Sequence, residues 1–556
     1  MMRQQFGIRL RLLWRERAEL TLLITSLVLI FGFYIWRFRR LKTVSINPDE
    51  FWHLHTAWCL SRGLIPYRDF FEHHTPWLYF LLAPLFPYYR TDTDPNAAIS
   101  FIFLARGIMM ALGGIALAMT FLLARLWRGK RVAWLAAALL STSVVFARKT
   151  IEVRPDVPAM VLWLGCLAAL VRATDEYPIS MREQKWLFIM SGFLMGGAIM
   201  SAQKMLVMMP SLMLAMLWYL AAGRGTNRTR FFNCLFQLSG FCAPIIATSI
   251  FFWSHAALGP FIKYTLMNIG WKTRFPAYYL APQVIVQNPV LTALGILGIL
   301  CEVPTTFGNP AFTADKLLLV NTVGAIVAVF VMPTPWTQNY LISIPLLAIY
   351  SGALLALIAD KILGSEGGLK QIDIRVPVAL AFSLVACSIS LFSAQETLWA
   401  NLAFGMFLLA GSGLMFRRRL HGAALALLLI AFSVHPYCQM DKQFSSTNVL
   451  QLKRLRFVLA NTLPTDTLMD GWSGLGVFRP HAWFYPFVHG EIEPLLSAKD
   501  RQQLLLGLGS GRIAPKFVFP NVAMLSISRP VSAFLLSHYH LVGGDPDVMG
   551  RNAIVK

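Results

Sequence analysis

Between roughly residues 19 and 435 the chain is a succession of about thirteen apolar runs long enough to cross a bilayer. They lie near 19–36, 98–126, 132–147, 157–173, 186–201, 205–222, 231–255, 284–301, 317–332, 340–358, 376–394, 398–416 and 421–435. Hydrocarbon offers no partner to a backbone N–H or C=O, so runs of this length must be helices. Only 14% of the residues are charged and 56% are hydrophobic, against about 25% charged in a typical soluble chain. A polytopic α-helical membrane protein with about 11–13 spans follows.

Charge sets the expected orientation. Arg128, Lys130 and Arg131, then Arg182 and Lys185, then Arg224, Arg228 and Arg230, and Arg417 to Arg419 fall on alternate connectors, which the positive-inside rule places in the cytoplasm. Arg37, Arg39, Arg40 and Lys42 lie against this rule, just beyond the first span. The second span decides the matter, because it ends in Arg125 to Arg131. The first loop, about 41–97, is then exported. So is a tail at 436–556, expected to fold as a small α/β domain after a membrane module at 1–435. In that tail 448–461 and 500–508 read as helices, and 467–470 and 516–519 as short strands. The start lacks a small-residue cleavage site, so the first helix is expected to be retained.

The net charge of +22 sits mainly at helix ends, as topology and anionic lipid require, and does not point to nucleic acid. The seven cysteines show no C-x-x-C spacing. Gly471-Trp472-Ser473-Gly474-Leu475 lacks the second glycine of a nucleophile elbow, and Gly507 to Gly511 reads as a helix terminator. Gly192 and Gly196 are spaced for close helix packing.

The exported loop gathers acids, four histidines and many aromatics between Asn47 and Pro84. Asn47 and Pro48 suit a helix start, and Glu50, three residues after Asn47, completes a capping box. Phe51, Leu54, Ala57, Trp58 and Cys59 suit an amphipathic helix lying flat at the interface. Asp49 is not needed for the cap, which leaves its carboxylate for chemistry. His53 with His55, and His73 with His74, lack helical metal-ligand spacing, whereas Asp49 and His53 are four apart and offer a divalent cation two ligands. His73 or His74 suits hydrogen bonding to sugar or phosphate.

The acid pair before an aromatic helix, then Gly63-Leu64-Ile65-Pro66-Tyr67-Arg68-Asp69-Phe70, Thr75-Pro76-Trp77-Leu78-Tyr79 and Ala83-Pro84, resembles the first loop of the C-type (GT-C) glycosyltransferase superfamily. Within it, the pattern is similar to bacterial relatives of dolichyl-phosphate-mannose protein mannosyltransferases and lipid A aminoarabinose transferases. The resemblance implies a catalytic aspartate at Asp49. It makes Asp156, in Arg154-Pro155-Asp156, the second acidic position, Lys204 the lysine that meets the lipid phosphate, and Tyr340 part of the cavity wall. The motifs span roughly the first 360 residues; the tail matches only in placement. Thr75 stands where the aminoarabinose branch has lysine, which argues against that sugar.

What the resemblance implies is an inverting transfer at the extracytoplasmic face of a bacterial inner membrane. The donor is a polyprenyl-phosphate sugar, and the acceptor is a hydroxyl of a cell-envelope glycan, lipid or protein. No cofactor is required, and a divalent metal is a minor alternative. Asp49 and Asp156 are the catalytic candidates. Glu50, His53, Arg68, His73, His74, Arg154, Lys204, Lys272, Arg274 and Tyr340 are the candidate substrate contacts. The rival readings are a lipid-linked polysaccharide polymerase or ligase, and a transporter or flippase.

Overall fold

In the computed structural model the described residues are 2–175, 179–267, 276, 278–308, 310–332, 334, 336–364, 421–542 and 545–551. The expected spans near 376–394 and 398–416, together with Lys272 and Arg274, lie outside them. Helices α1 (Met2–Arg40), α2 (Pro48–Ser61), α3 (Pro95–Arg128), α4 (Lys130–Ser141), α5 (Asp156–Ala173), α6 (Met181–Ser201), α7 (Met209–Ala222) and α8 (Asn227–Ser254) come first. Then follow α9 (Pro289–Gly308), α10 (Ala314–Val331), α11 (Ile344–Gly364), α12 (His421–Gln443) and α13 (Val449–Ala460). Seven of the described helical segments are long and apolar enough to span a membrane. The run near 132–147 is broken: α4 stops at Ser141 and a short helix restarts at Val144, capped by the Ser143 hydroxyl. A serine hydroxyl that accepts from a backbone N–H competes with helix continuation, so periodicity alone joined two helices.

Helices α6 and α8 pack backbone against backbone. Gly192 and Gly196 face the backbone of Gln237 and Phe241, and Gly240 faces Ile189, with no room for a Cβ at any of the three. The glycine spacing thus does what it promised, letting two backbones approach in a medium where packing must replace the hydrophobic drive.

After α13 come β1 (Leu468–Asp470), α14 (Ala498–Gly509), β2 (Phe517–Phe519), α15 (Arg529–His538), β3 (Tyr539–Val542) and β4 (Asp545–Arg551). The sheet order is β1-β2-β4-β3, with β1 parallel to β2 and the other pairs antiparallel. This unit sits on the first loop. Ser45 N–H donates to the Ser446 carbonyl, Asn448 N–H to the Thr43 carbonyl, and the Gln451 amide brackets both backbone groups of Ile46.

One consequence corrects the picture of α2 lying flat at an interface. Every residue of α2 from Glu50 to Cys59 is buried. Phe51 and Leu54 join α3 and the C-terminal unit through Phe101, Val477 and Phe478, while Trp52 joins a second cluster with Phe71 and Phe487. Gly474, at φ +77°, lies where a Cβ would strike Phe51, so the C-terminal unit approaches α2 by its backbone. Replacing Gly192 with valine should lower stability in detergent by about 1–3 kcal/mol or abolish folded yield, read by thermal unfolding and size-exclusion profile.

Candidate active site

Asn47 caps α2: its side chain accepts from Asp49 N–H, and Glu50 returns a bond to Asn47 N–H at 2.9 Å. Glu50 is committed further. Its two oxygens take a fork of bonds from Arg106 at 2.7 and 2.8 Å, and one also takes Val153 N–H at 3.2 Å. Both partners are wholly buried. No acceptor direction remains for a sugar, so Glu50 belongs to the scaffold, not among the substrate contacts.

One residue earlier, Asp49 keeps 31% of its side chain exposed and pairs with Arg154 at 2.7 Å. Arg154 also meets Glu152, which is bridged by Lys149 at 3.0 Å and Arg148 at 3.2 Å. Two residues on, Asp156 opens α5 and pairs with Lys204, whose ammonium also donates to Asn339 Oδ1 at 2.8 Å. The cations and carboxylates alternate along a chain from Lys149 to Lys204. Burial pushes Asp49 upward, but Arg154, His53 and Lys149 more than offset it, so its carboxyl sits below the usual range. Burial likewise opposes the Arg154 charge, yet Glu152, Asp49 and Asp156 raise its pKa. The Arg154 guanidinium thus couples electrostatically to both Asp49 and Asp156.

Tyr340 follows Asn339 and is nearly buried, with its hydroxyl unpartnered among the described residues. Arg68 goes elsewhere. It lies exposed, held by Asp69 at 2.7 and 2.8 Å and by the His255 carbonyl at 2.8 Å. Its bonds run to its own loop and to the end of α8, not to Asp49, Arg154 or Lys204.

The histidines surround a group the sequence reading overlooked, Glu72. Fully buried, it accepts from Trp52 Nε1 and Thr56 Oγ1, both at 2.7 Å, from the backbone N–H groups of His73 and His74, and from His74 Nδ1 at 3.0 Å. Burial raises its pKa, but the His74 bond and the charges facing it win and hold it well below the usual range. His53 Nδ1 meets Tyr79 Oη at 3.1 Å and its ring lies 4.8 Å from that of His74. Burial and His74 lower His53 to about 3, so it is neutral at physiological pH. The only available signal for Glu72 was an acid set among aromatics in Phe70-Phe71-Glu72-His73.

The C-terminal unit adds two further groups that no local pattern announced. His489 lies with its ring 4.0 Å from Trp472 and 5.4 Å from Trp52, and its Nε2 is buried with no partner among the described residues. Glu491 follows it, and burial together with Asp49 raises its carboxyl to about 7. Trp472 belongs to the glycine-flanked string, whose Ser473 is spent on Asp470 through bonds of 2.7 and 3.0 Å.

The family model for dolichyl-phosphate-mannose-protein mannosyltransferase matches residues 100–253, a stretch that holds Arg154, Asp156 and Lys204 but not Asp49. No curated protein matches the chain in sequence. Among solved structures, ArnT from Cupriavidus metallidurans in its apo state is similar with a TM-score of 0.60 at 12% identity, covering 94% of this chain and 96% of that one. The same protein bound to undecaprenyl phosphate gives 0.58 at 12% identity, covering 94% and 97%. The Archaeoglobus fulgidus oligosaccharyltransferase in its apo form gives 0.54 at 13% identity, covering 93% of this chain and 71% of that one. The chain has the C-type glycosyltransferase fold, and the likeness runs past the first 360 residues into the tail.

Glu72 is expected to carry stability that is fully present above the ordinary glutamate pKa and is lost as pH falls toward its lowered folded value. Melting temperature measured across the acid range should therefore fall more steeply in the native protein than in Glu72→Gln, while Glu72→Ala should cost about 3–5 kcal/mol at neutral pH.

Proposed function

We propose that the chain transfers a sugar from a polyprenyl-phosphate donor to an acceptor hydroxyl at the extracytoplasmic face of the membrane, with inversion at the anomeric carbon. The observation that carries this reading is a part-exposed aspartate, Asp49, held ionised by Arg154 next to a second acid paired with Lys204. The complex of ArnT from Cupriavidus metallidurans with undecaprenyl phosphate supports the donor class.

In this reading the lipid phosphate draws Lys204 from Asp156 and Asn339, exchanging one anion for another at little cost. Asp156, released, accepts a hydroxyl of the sugar or acceptor. The acceptor oxygen attacks the anomeric carbon as its proton passes to Asp49. The bond from that carbon to the phosphate oxygen breaks, and the electron pair leaves with the phosphate. Lys204 and Arg154 stabilise the charge that develops there. Glu152 gives Arg154 a second anion, so Arg154 stays in place when Asp49 takes up the proton. Lys272 and Arg274 are retained as further phosphate contacts, and His74, part exposed beside Glu72, as a hydrogen-bond donor to the sugar.

The lowered pKa of Asp49 makes it a weak base, and ionisation of Glu491 near pH 7 strengthens it by adding negative charge nearby. Turnover should therefore rise as pH passes through about 7, and Glu491→Gln should flatten that rise. Transfer is measured with purified protein and a synthetic polyprenyl-phosphate sugar. Asp49→Asn, folded by size-exclusion profile, should lose about 100- to 10,000-fold in kcat. Lys204→Ala should lose activity chiefly through the donor KM. Normal turnover in Asp49→Asn would remove the assigned base, and release of polyprenyl pyrophosphate in place of monophosphate would favour the polymerase or ligase reading.

A further inference from the structure

Three side chains unused by the transfer converge where α2 meets the C-terminal unit. His55 Nε2 lies 3.0 Å from His481 Nδ1 and 3.4 Å from Cys59 Sγ, and Cys59 Sγ lies 3.9 Å from His481 Nδ1. His55 and Cys59 are one helical turn apart on α2, so they share a face. His481 arrives from the far end of the chain, just after Pro480.

We propose that His55, Cys59 and His481 bind a zinc ion that staples α2 to the C-terminal unit. Zinc held at 2.0–2.1 Å by imidazole and 2.3 Å by thiolate in a tetrahedron sets its ligands about 3.3 Å apart for two nitrogens and about 3.6 Å for nitrogen and sulfur. The three separations lie within about 0.3 Å of those values. Two imidazoles and a thiolate are a borderline-soft donor set suited to zinc.

The surroundings are arranged as they are around bound metals. His55 Nδ1 lies 2.9 Å from the Val477 carbonyl, an acceptor with no proton of its own, so Nδ1 carries the hydrogen and Nε2 turns a bare lone pair toward the cluster. His55 packs on Trp58 and Phe487, and His481 on Phe70, which holds the rings oriented. Binding displaces the thiol proton of Cys59, so one proton leaves for each ion bound. A solvent molecule fills the fourth position.

The rival is a plain hydrogen bond from His481 Nδ1–H to His55 Nε2 with a bystander thiol. Full-length protein purified in detergent without added chelator is assayed for metal by mass spectrometry and then loaded with cobalt(II) as a spectroscopic stand-in. The expected result is about one zinc per chain, lost in Cys59→Ser and in His481→Gln, and a thiolate-to-cobalt charge-transfer band that Cys59→Ser removes. Stripping the zinc should lower the melting temperature of the native protein and leave that of Cys59→Ser unchanged. Zinc-free native protein that takes up neither ion would overturn the proposal. So would zinc that persists in both variants and is lost in His74→Asn, since the metal would then lie at Glu72. Neither outcome bears on Asp49, whose variant is read by sugar transfer.

Discussion

The buried pair of Glu50 and Arg106 holds the catalytic end of this molecule together. Besides its fork onto Glu50, the Arg106 guanidinium donates to the carbonyls of Leu41, Val44 and Ser45, at 2.9 to 3.1 Å. One side chain of α3 thus ties down the exit of the first helix, the cap of α2 and, through Glu50, the backbone at Val153. A guanidinium fully removed from water is costly unless every donor finds an oxygen, and here the chain turns its own orphan carbonyls inward to supply them. Asp49 stands where it does because its neighbour is held by that knot.

From this anchor the charges alternate outward. Lys149, Glu152, Arg154, Asp156 and Lys204 run in alternating sign, with Asp49 as a further anion on Arg154. In a partly buried setting such alternation keeps each group ionised, which isolated burial would prevent. In the proposed transfer it would also make the site adaptable, because an incoming phosphate would replace a carboxylate partner without stranding a cation.

The C-terminal unit closes the loop from the other side. Phe71 N–H donates to the Phe484 carbonyl at 2.8 Å, Trp52 stacks on Phe487, and His489 and Glu491 are brought to the electrostatic neighbourhood of Asp49. Without that cover the polar face of α2 would meet water. With it, even His55 is paired, through the Val477 carbonyl and His481.

The sequence by itself determined the membrane class, most spans, the close glycine contact, the capping box at Asn47 and two of the tail's four described strands, β1 and β2, because each follows from periodicity or from residues within a few positions of one another. The spare carboxylate of Asp49 was legible locally, whereas Arg154, Asp156 and Lys204 were singled out only by the family resemblance, and neither foretold that Arg154 would lower the pKa of Asp49. Local logic misread Glu50 because its partner Arg106 is far off in sequence. Glu72, His489, Glu491 and the His55–Cys59–His481 cluster were decided by tertiary structure alone. Their chemistry depends on desolvation and on neighbours separated by up to 426 positions, and neither leaves a trace in local spacing.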